Sequence, residues 1–164
     1  FPGNSPQKPF KECISEDQSH IAVIFIGIND VWWRKTEPET FRNALEDLVK
    51  AARSNRTEPV LATLTVHGEL PNGKNSDDPK IEEFAEITRQ VARTSDTTVV
   101  DLRRAYIAYL QDHNARLRVD GSIHSVPAGI LTYDGVHPNA TGVRLLAEHL
   151  ADGIAHAVKR IATE

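Results

Sequence analysis

The stretch IAVIFIGINDVWW, Ile21 to Trp33, opens as an unbroken apolar run and turns polar at Asn29 and Asp30 before ending in two tryptophans. Side chains alternate along an extended chain, so Ile21, Val23 and Phe25 share one face and Ala22, Ile24 and Ile26 the other. With both faces apolar, the pattern predicts a central strand of a parallel sheet covered by helices on each side. The polar pair leaves this strand at its carboxyl end, the edge where open α/β sheets collect ligands.

The remainder repeats the alternation. Residues 36–54 read as a helix, with Thr36 as N-cap, Pro38 in the first turn, and Phe41, Leu45, Leu48, Val49 and Ala52 at helical spacing. PVLATLTV, Pro59 to Val66, reads as a second strand, residues 78–94 as a second helix, and Thr97 to Leu102 as a third strand followed by a short helix from Arg103. The segment Leu117 to Thr132 has no period and contains Gly121, Pro127 and Gly129, so it reads as a long loop. A last helix runs from its cap Asn139 to about Ile161, with Val143, Leu146, Leu150, Ile154, Ala157 and Val158 turned inward. Residues 1–19 show no periodicity and read as a loop or arm ahead of one domain over residues 20–164. Strand alternating with helix implies right-handed βαβ units and a doubly wound three-layer α/β/α sheet. His67 and Glu69 leave the second strand at the same edge as Asn29, Asp30, Trp32 and Trp33. Three strands make a thin sheet, and an unpaired edge on the opening strand is an aggregation hazard. One or two further strands are therefore expected beside Ile21 to Ile26, on a segment outside this chain.

A chain of 164 residues, 40% hydrophobic and 26% charged, has the material for one soluble domain with a sizeable core. Its net charge of -4 gives no basic footprint for nucleic acid or an anionic membrane surface. No segment approaches the roughly 20 apolar residues of a membrane span. Cys13 is the lone cysteine, which excludes an internal disulfide framework. No His, Cys, Asp and Glu set has metal-ligand spacing and no cofactor motif occurs, so neither metal nor cofactor is expected. The chain begins at Phe1 and holds no methionine, so the translation start is expected elsewhere and the compartment stays undecided. These features point to a small-molecule or neutral substrate.

A second informative stretch is LTYDGVHPNATG, Leu131 to Gly142. Asp134 stands three residues before His137, and a one-turn loop lets its carboxylate accept the Nδ1 proton, leaving Nε2 as a general base. The alternative is a turn-capping Asp134, with Gly135 at positive φ and His137 a half-buried loop residue. Asn29 likewise either donates to a developing oxyanion or ties the loop after the strand. Asp30 is a loop or cap carboxylate, or it orients Asn29. Trp32 and Trp33 offer an apolar wall for an acyl or sugar group, one of them being expected in the core. His67 lines the pocket or packs the loop. Asp120 and His124 form a rival pair within the aperiodic loop, where a surface role fits better.

Taken together, Gly27-x-Asn29-Asp30 and Asp134-Gly-x-His137-Pro resemble two signature blocks of the SGNH, or GDSL-type, hydrolases, and residues 21–160 follow that family's run of elements. The resemblance implies a flavodoxin-like fold, an oxyanion donor at Asn29, a base at His137, its orienter at Asp134 and the block glycine at Gly27. It also implies an esterase, lipase or deacetylase that cleaves a carboxylic ester through an acyl-enzyme. The family's Gly-Asp-Ser block and its second-block glycine have no match. Gly3-Asn4-Ser5 is the nearest string, but no apolar strand precedes it, Pro6 follows it, and its linker to Gly27 is too short for a strand-helix-strand passage. The serine is therefore expected on an N-terminal segment outside this chain, and these residues alone are expected to be inert, since losing such a serine costs about a millionfold in kcat. The rival expectation is a non-catalytic pseudoenzyme or binding module that holds a carbonyl or carbohydrate ligand at Asn29 and His137. A metal-dependent phosphoesterase would need more carboxylates near the strand ends.

Overall fold

In a computed structural model, which describes residues 8–71, 73–114 and 129–163, the apolar segments close into a three-stranded parallel sheet. The elements are α1 (Phe10–Asp17), β1 (Ile21–Ile24), α2 (Ile28–Trp32), α3 (Pro38–Ser54), β2 (Glu58–Ala62), α4 (Asp78–Thr94), β3 (Thr98–Val100), α5 (Leu102–Asn114) and α6 (Ala140–Ile161). The strand order is β1-β2-β3, with Ile21 opposite Glu58 and Val60 opposite Thr98.

The period of two sorts the side chains of β2 between two cores. Leu61 joins Phe41, Leu45 and Val49 of α3 and Phe84, Ile87 and Val91 of α4. Val60 and Ala62 join Val100, Leu102 and Ala157, with Leu146 and Leu150 of α6 packed alongside. Thus α3 and α4 cover one face and α6 the other, giving the three layers. Burying a side chain of the size of Leu or Phe stabilises by about 1.5–3 kcal/mol, so these clusters hold the helices to the sheet. A third cluster of Val66, Tyr106, Leu110 and Leu131 continues the core beyond the carboxyl end of β2.

Several expected boundaries move for local reasons. The α3 helix starts at Pro38, because the Thr36 hydroxyl donates to Asp30 Oδ1 at 2.9 Å and so belongs to the turn after α2. After Ala62 the chain leaves the ladder yet stays buried through Val66. Residues 10–17, expected as loop or arm, form α1, since Phe10 and Ile14 at i, i+4 spacing present an apolar stripe.

Two burial expectations are overturned. Val23, Phe25 and Ile26 are 37%, 39% and 42% exposed, because β1 lies at an edge of the sheet among the described residues. Along α6, Val143, Ile154 and Val158 are exposed, since only the stripe through Leu146, Leu150, Gly153 and Ala157 reaches so narrow a sheet. Ser5, the Asp120 and His124 pair, and the aperiodic loop up to residue 128 lie outside the described residues.

Candidate active site

At the end of β1 the chain must turn over the core, and Gly27 does so at φ +120°. A methyl group there would sit 2.9 Å from Phe41 Cε2 and 3.1 Å from Leu64 Cδ2, so both the backbone angle and the space require glycine. The turn delivers Asn29 and Asp30 on α2. Asn29 is exposed, and its amide group bonds no described residue, while its carbonyl accepts from the Trp33 and Arg34 amides at 2.9 Å. Asp30 does not reach Asn29, being engaged by Thr36 instead. Val31 takes the buried position of this helix, leaving Trp32 and Trp33 50% and 72% exposed. Neither tryptophan is therefore in the core, contrary to the expectation for one of them. Their rings meet edge to face with centroids 4.7 Å apart.

The second stretch forms a closed loop whose ends pair at Thr132 and Pro138. The Tyr133 amide donates to the His137 carbonyl at 3.0 Å, and the Asn139 amide to the Leu131 carbonyl at 2.8 Å. Asn139 then caps α6, accepting from the amides of Thr141 and Gly142 at 2.9 and 3.1 Å. Within the loop, Asp134 Oδ1 accepts from the amides of His137 and Val136 at 2.8 and 3.0 Å, and Oδ2 lies 2.6 Å from His137 Nδ1. These bonds, first from the His137 amide and then from its ring, hold the Asp134 carboxyl at about 2, well below the usual aspartate range. A carboxylate so held accepts a hydrogen bond from Nδ1–H, the tautomer that leaves Nε2 as an acceptor. The Tyr133 ring stacks on the exposed imidazole with centroids 5.6 Å apart.

Residues after β2 join the two halves. The His67 imidazole meets Trp32 edge to face at 5.2 Å, and its Nδ1 lies 2.5 Å from Asp77 Oδ2. The next amide, of Gly68, donates to the Gly135 carbonyl at 2.7 Å. A continuous chain of contacts therefore runs from Trp32 through His67 and Gly68 to the loop of Asp134 and His137, along the carboxyl edge of the sheet. Beneath it, the Arg103 guanidinium, 1% exposed, donates to the Thr65 carbonyl at 3.1 Å and Asp78 Oδ1 at 3.3 Å. Asp78 in turn accepts from the amides of Gly73 and Asn75 at 2.7 and 3.0 Å, fixing the passage from β2 to α4.

Sequence reasoning missed the Asp77 partner of His67 and the role of Arg103. The available signal was an acid and a base flanking apolar helical stripes, which marks a need for a partner without naming it. Among the described residues, no group of three or more His, Cys, Asp or Glu could hold a metal ion. No helix among them is long and apolar enough to cross a membrane.

The model of the GDSL-like lipase/acylhydrolase family matches residues 3–145. The chain belongs to that family. Both blocks of this GDSL-like chain fall inside the match, as does Gly3-Asn4-Ser5. The fold is shared with the acetyl xylan esterase AlAXEase at 24% identity and a TM-score of 0.79, over 88% of this chain and 72% of that one. Axe2, an acetylxylan esterase from Geobacillus stearothermophilus, aligns at 21% identity and a TM-score of 0.71, over 88% of this chain and 64% of its own. LAE5, an alpha/beta hydrolase enzyme from the metagenome of Lake Arreo, Spain, aligns at 22% identity and a TM-score of 0.65, over 87% and 66%. This GDSL-like chain thus spans about two thirds of the length of these structures. No curated protein matches it by sequence.

Proposed function

We propose that the protein is a serine hydrolase that cleaves a carboxylic ester through an acyl-enzyme. The observation that carries this reading is the double hold of Asp134 on His137, made inside a block of the acylhydrolase family. In the proposed reaction a serine Oγ attacks the ester carbonyl while His137 Nε2 takes its proton. The tetrahedral oxyanion accepts a hydrogen bond from the Asn29 amide group, worth about 3 kcal/mol. Collapse expels the alcohol, which receives the proton from His137, and water activated by the same nitrogen then releases the acid. Gly27 sets the turn that presents Asn29, and Trp32, Trp33 and His67 contact the substrate.

The serine in this reading comes from a segment that pairs with β1. Support comes from the flank of that strand that no described strand covers and from the exposed Val23, Phe25 and Ile26 beside it. Catalytic mutants of Axe2 replace a serine or a histidine by alanine, which makes a serine-histidine mechanism the first to test here. The names of AlAXEase and Axe2, with the paired tryptophans, make acetylated carbohydrate the first substrate class to assay.

A fluorophosphonate probe and p-nitrophenyl acetate test the proposal on the protein with any sequence that precedes Phe1 in its gene. Labelling that disappears in His137→Ala supports hydrolysis, and its disappearance in Ser5→Ala would move the nucleophile to Ser5. Neither labelling nor turnover from the intact protein would leave the scaffold as a binding module.

A further inference from the structure

The acid that follows His67 and Gly68 has a different task from theirs. Glu69 is 3% exposed, and a buried carboxyl group is costly unless donors surround it. Among the described residues, five such donors come from one distant stretch, Gly129 to Thr132. Glu69 Oε1 accepts from the amides of Thr132 and Leu131 at 2.6 and 3.0 Å, from Thr132 Oγ1 at 2.5 Å and from the Gly129 amide at 3.5 Å. Oε2 accepts from the Ile130 amide at 3.0 Å. Consecutive amides converging on one group make an anion nest, here filled by the protein's own side chain.

We infer that Glu69 is a positioning residue for Asp134 and His137: its carboxylate is the template on which the chain from Gly129 to Thr132 is wound, setting where the following turn begins. The connection to that turn is direct. Thr132 Oγ1 donates to Glu69 and accepts from the Gly135 amide at 3.1 Å, while the Gly68 amide holds the Gly135 carbonyl. Asp134 lies between the two residues so fixed, and its own bonds are all within the turn. The bonds of the pair lie within the turn, and Glu69, through Thr132, holds that turn closed at Gly135 and places it over the sheet edge. This inference rests on reading Asp134 and His137 as orienter and base, but its test reads loop geometry and not turnover, so each can fail without the other.

The test compares Glu69→Gln and Thr132→Val with the parent chain by amide hydrogen exchange and by carboxyl NMR titration. Glutamine keeps the shape of Glu69 but puts an NH2 group among donors. Both variants are expected to speed exchange at Leu131 and Gly135 by about tenfold or more while Val60 to Ala62 keep their protection. The Asp134 midpoint, held at about 2 in the parent chain, is expected to rise toward the ordinary value of about 3.9 as the turn loosens. An unmoved Asp134 midpoint in both variants would overturn the proposal. So would loss of protection spread evenly over loop and sheet, which marks a residue needed only for folding. If Glu69→Gln does not fold, Thr132→Val decides alone, because it removes the link to Gly135 and leaves the carboxylate in place.

Discussion

Trp32 and His67, on the chain segments that follow neighbouring strands, meet edge to face with ring centroids 5.2 Å apart. Because Asp77 fixes the imidazole from its other side, the exposed indole has a defined wall against which a substrate can be pressed. Removing that wall takes away binding shared by ground and transition states. Trp32→Ala is expected to raise KM for acetyl esters about tenfold, with kcat within about twofold. Steady-state kinetics on the protein with any sequence that precedes Phe1 in its gene checks this, and a fall in kcat alone would place Trp32 with the reacting groups.

Asp134→Asn keeps the shape of the turn but reverses the demand on His137 Nδ1, which then faces an amide that donates. On the proposed mechanism kcat for an acetyl ester is expected to fall about 10⁴-fold, with KM little changed. Stability responds to pH through the same carboxyl. Its folded value of about 2 lies below the roughly 3.9 of an unfolded aspartate, so the unfolded chain binds the proton more readily. The stability it contributes is fully present above about pH 4 and is lost as pH falls through about 2. The urea midpoints of the parent and Asp134→Asn should therefore differ at about pH 5 and converge as the pH falls toward about 2.

Gly27→Ala tests the turn that presents Asn29. A methyl group 2.9 Å from Phe41 at φ +120° combines overpacking with an unfavourable backbone angle, and about 2–3 kcal/mol of destabilisation is expected. Urea denaturation measures it. A loss below about 0.5 kcal/mol would mean that the turn relaxes freely.

Arg103→Met leaves Asp78 buried without its cation, at an expected cost of about 3–5 kcal/mol. Adding Asp78→Asn should return part of that loss, since the stranded charge is then gone. A double variant no more stable than Arg103→Met would show that the loss lies in the guanidinium's other bonds, to the Glu82 carboxylate and to backbone carbonyls. Chemical denaturation of the single and double variants separates these outcomes.

The layers were legible because their signals are local. Phe41, Leu45 and Val49, or Ile81, Phe84 and Val91, carry a helical period that survives without knowledge of partners. The three-residue spacing of Asp134 and His137 was legible for the same reason. What stayed hidden depends on placement in the sheet. Val23 and Phe25 are written as core, but their exposure is decided by which strand lies next to β1. Glu69 finds its donors in Gly129 to Thr132, and Asp77 turns toward His67 across a loop, so no periodicity in either segment announces the pair.

The closure of Asp134 on His137 within a single turn has a practical side. Acid and base form a self-contained cassette, seated on the scaffold through Glu69 and Gly68, while the proposed oxyanion donor and both indoles sit on a different excursion of the chain. On the proposed mechanism, an engineer who wishes to change which ester is accepted can rebuild α2 and its tryptophans without re-aiming Asp134 and His137.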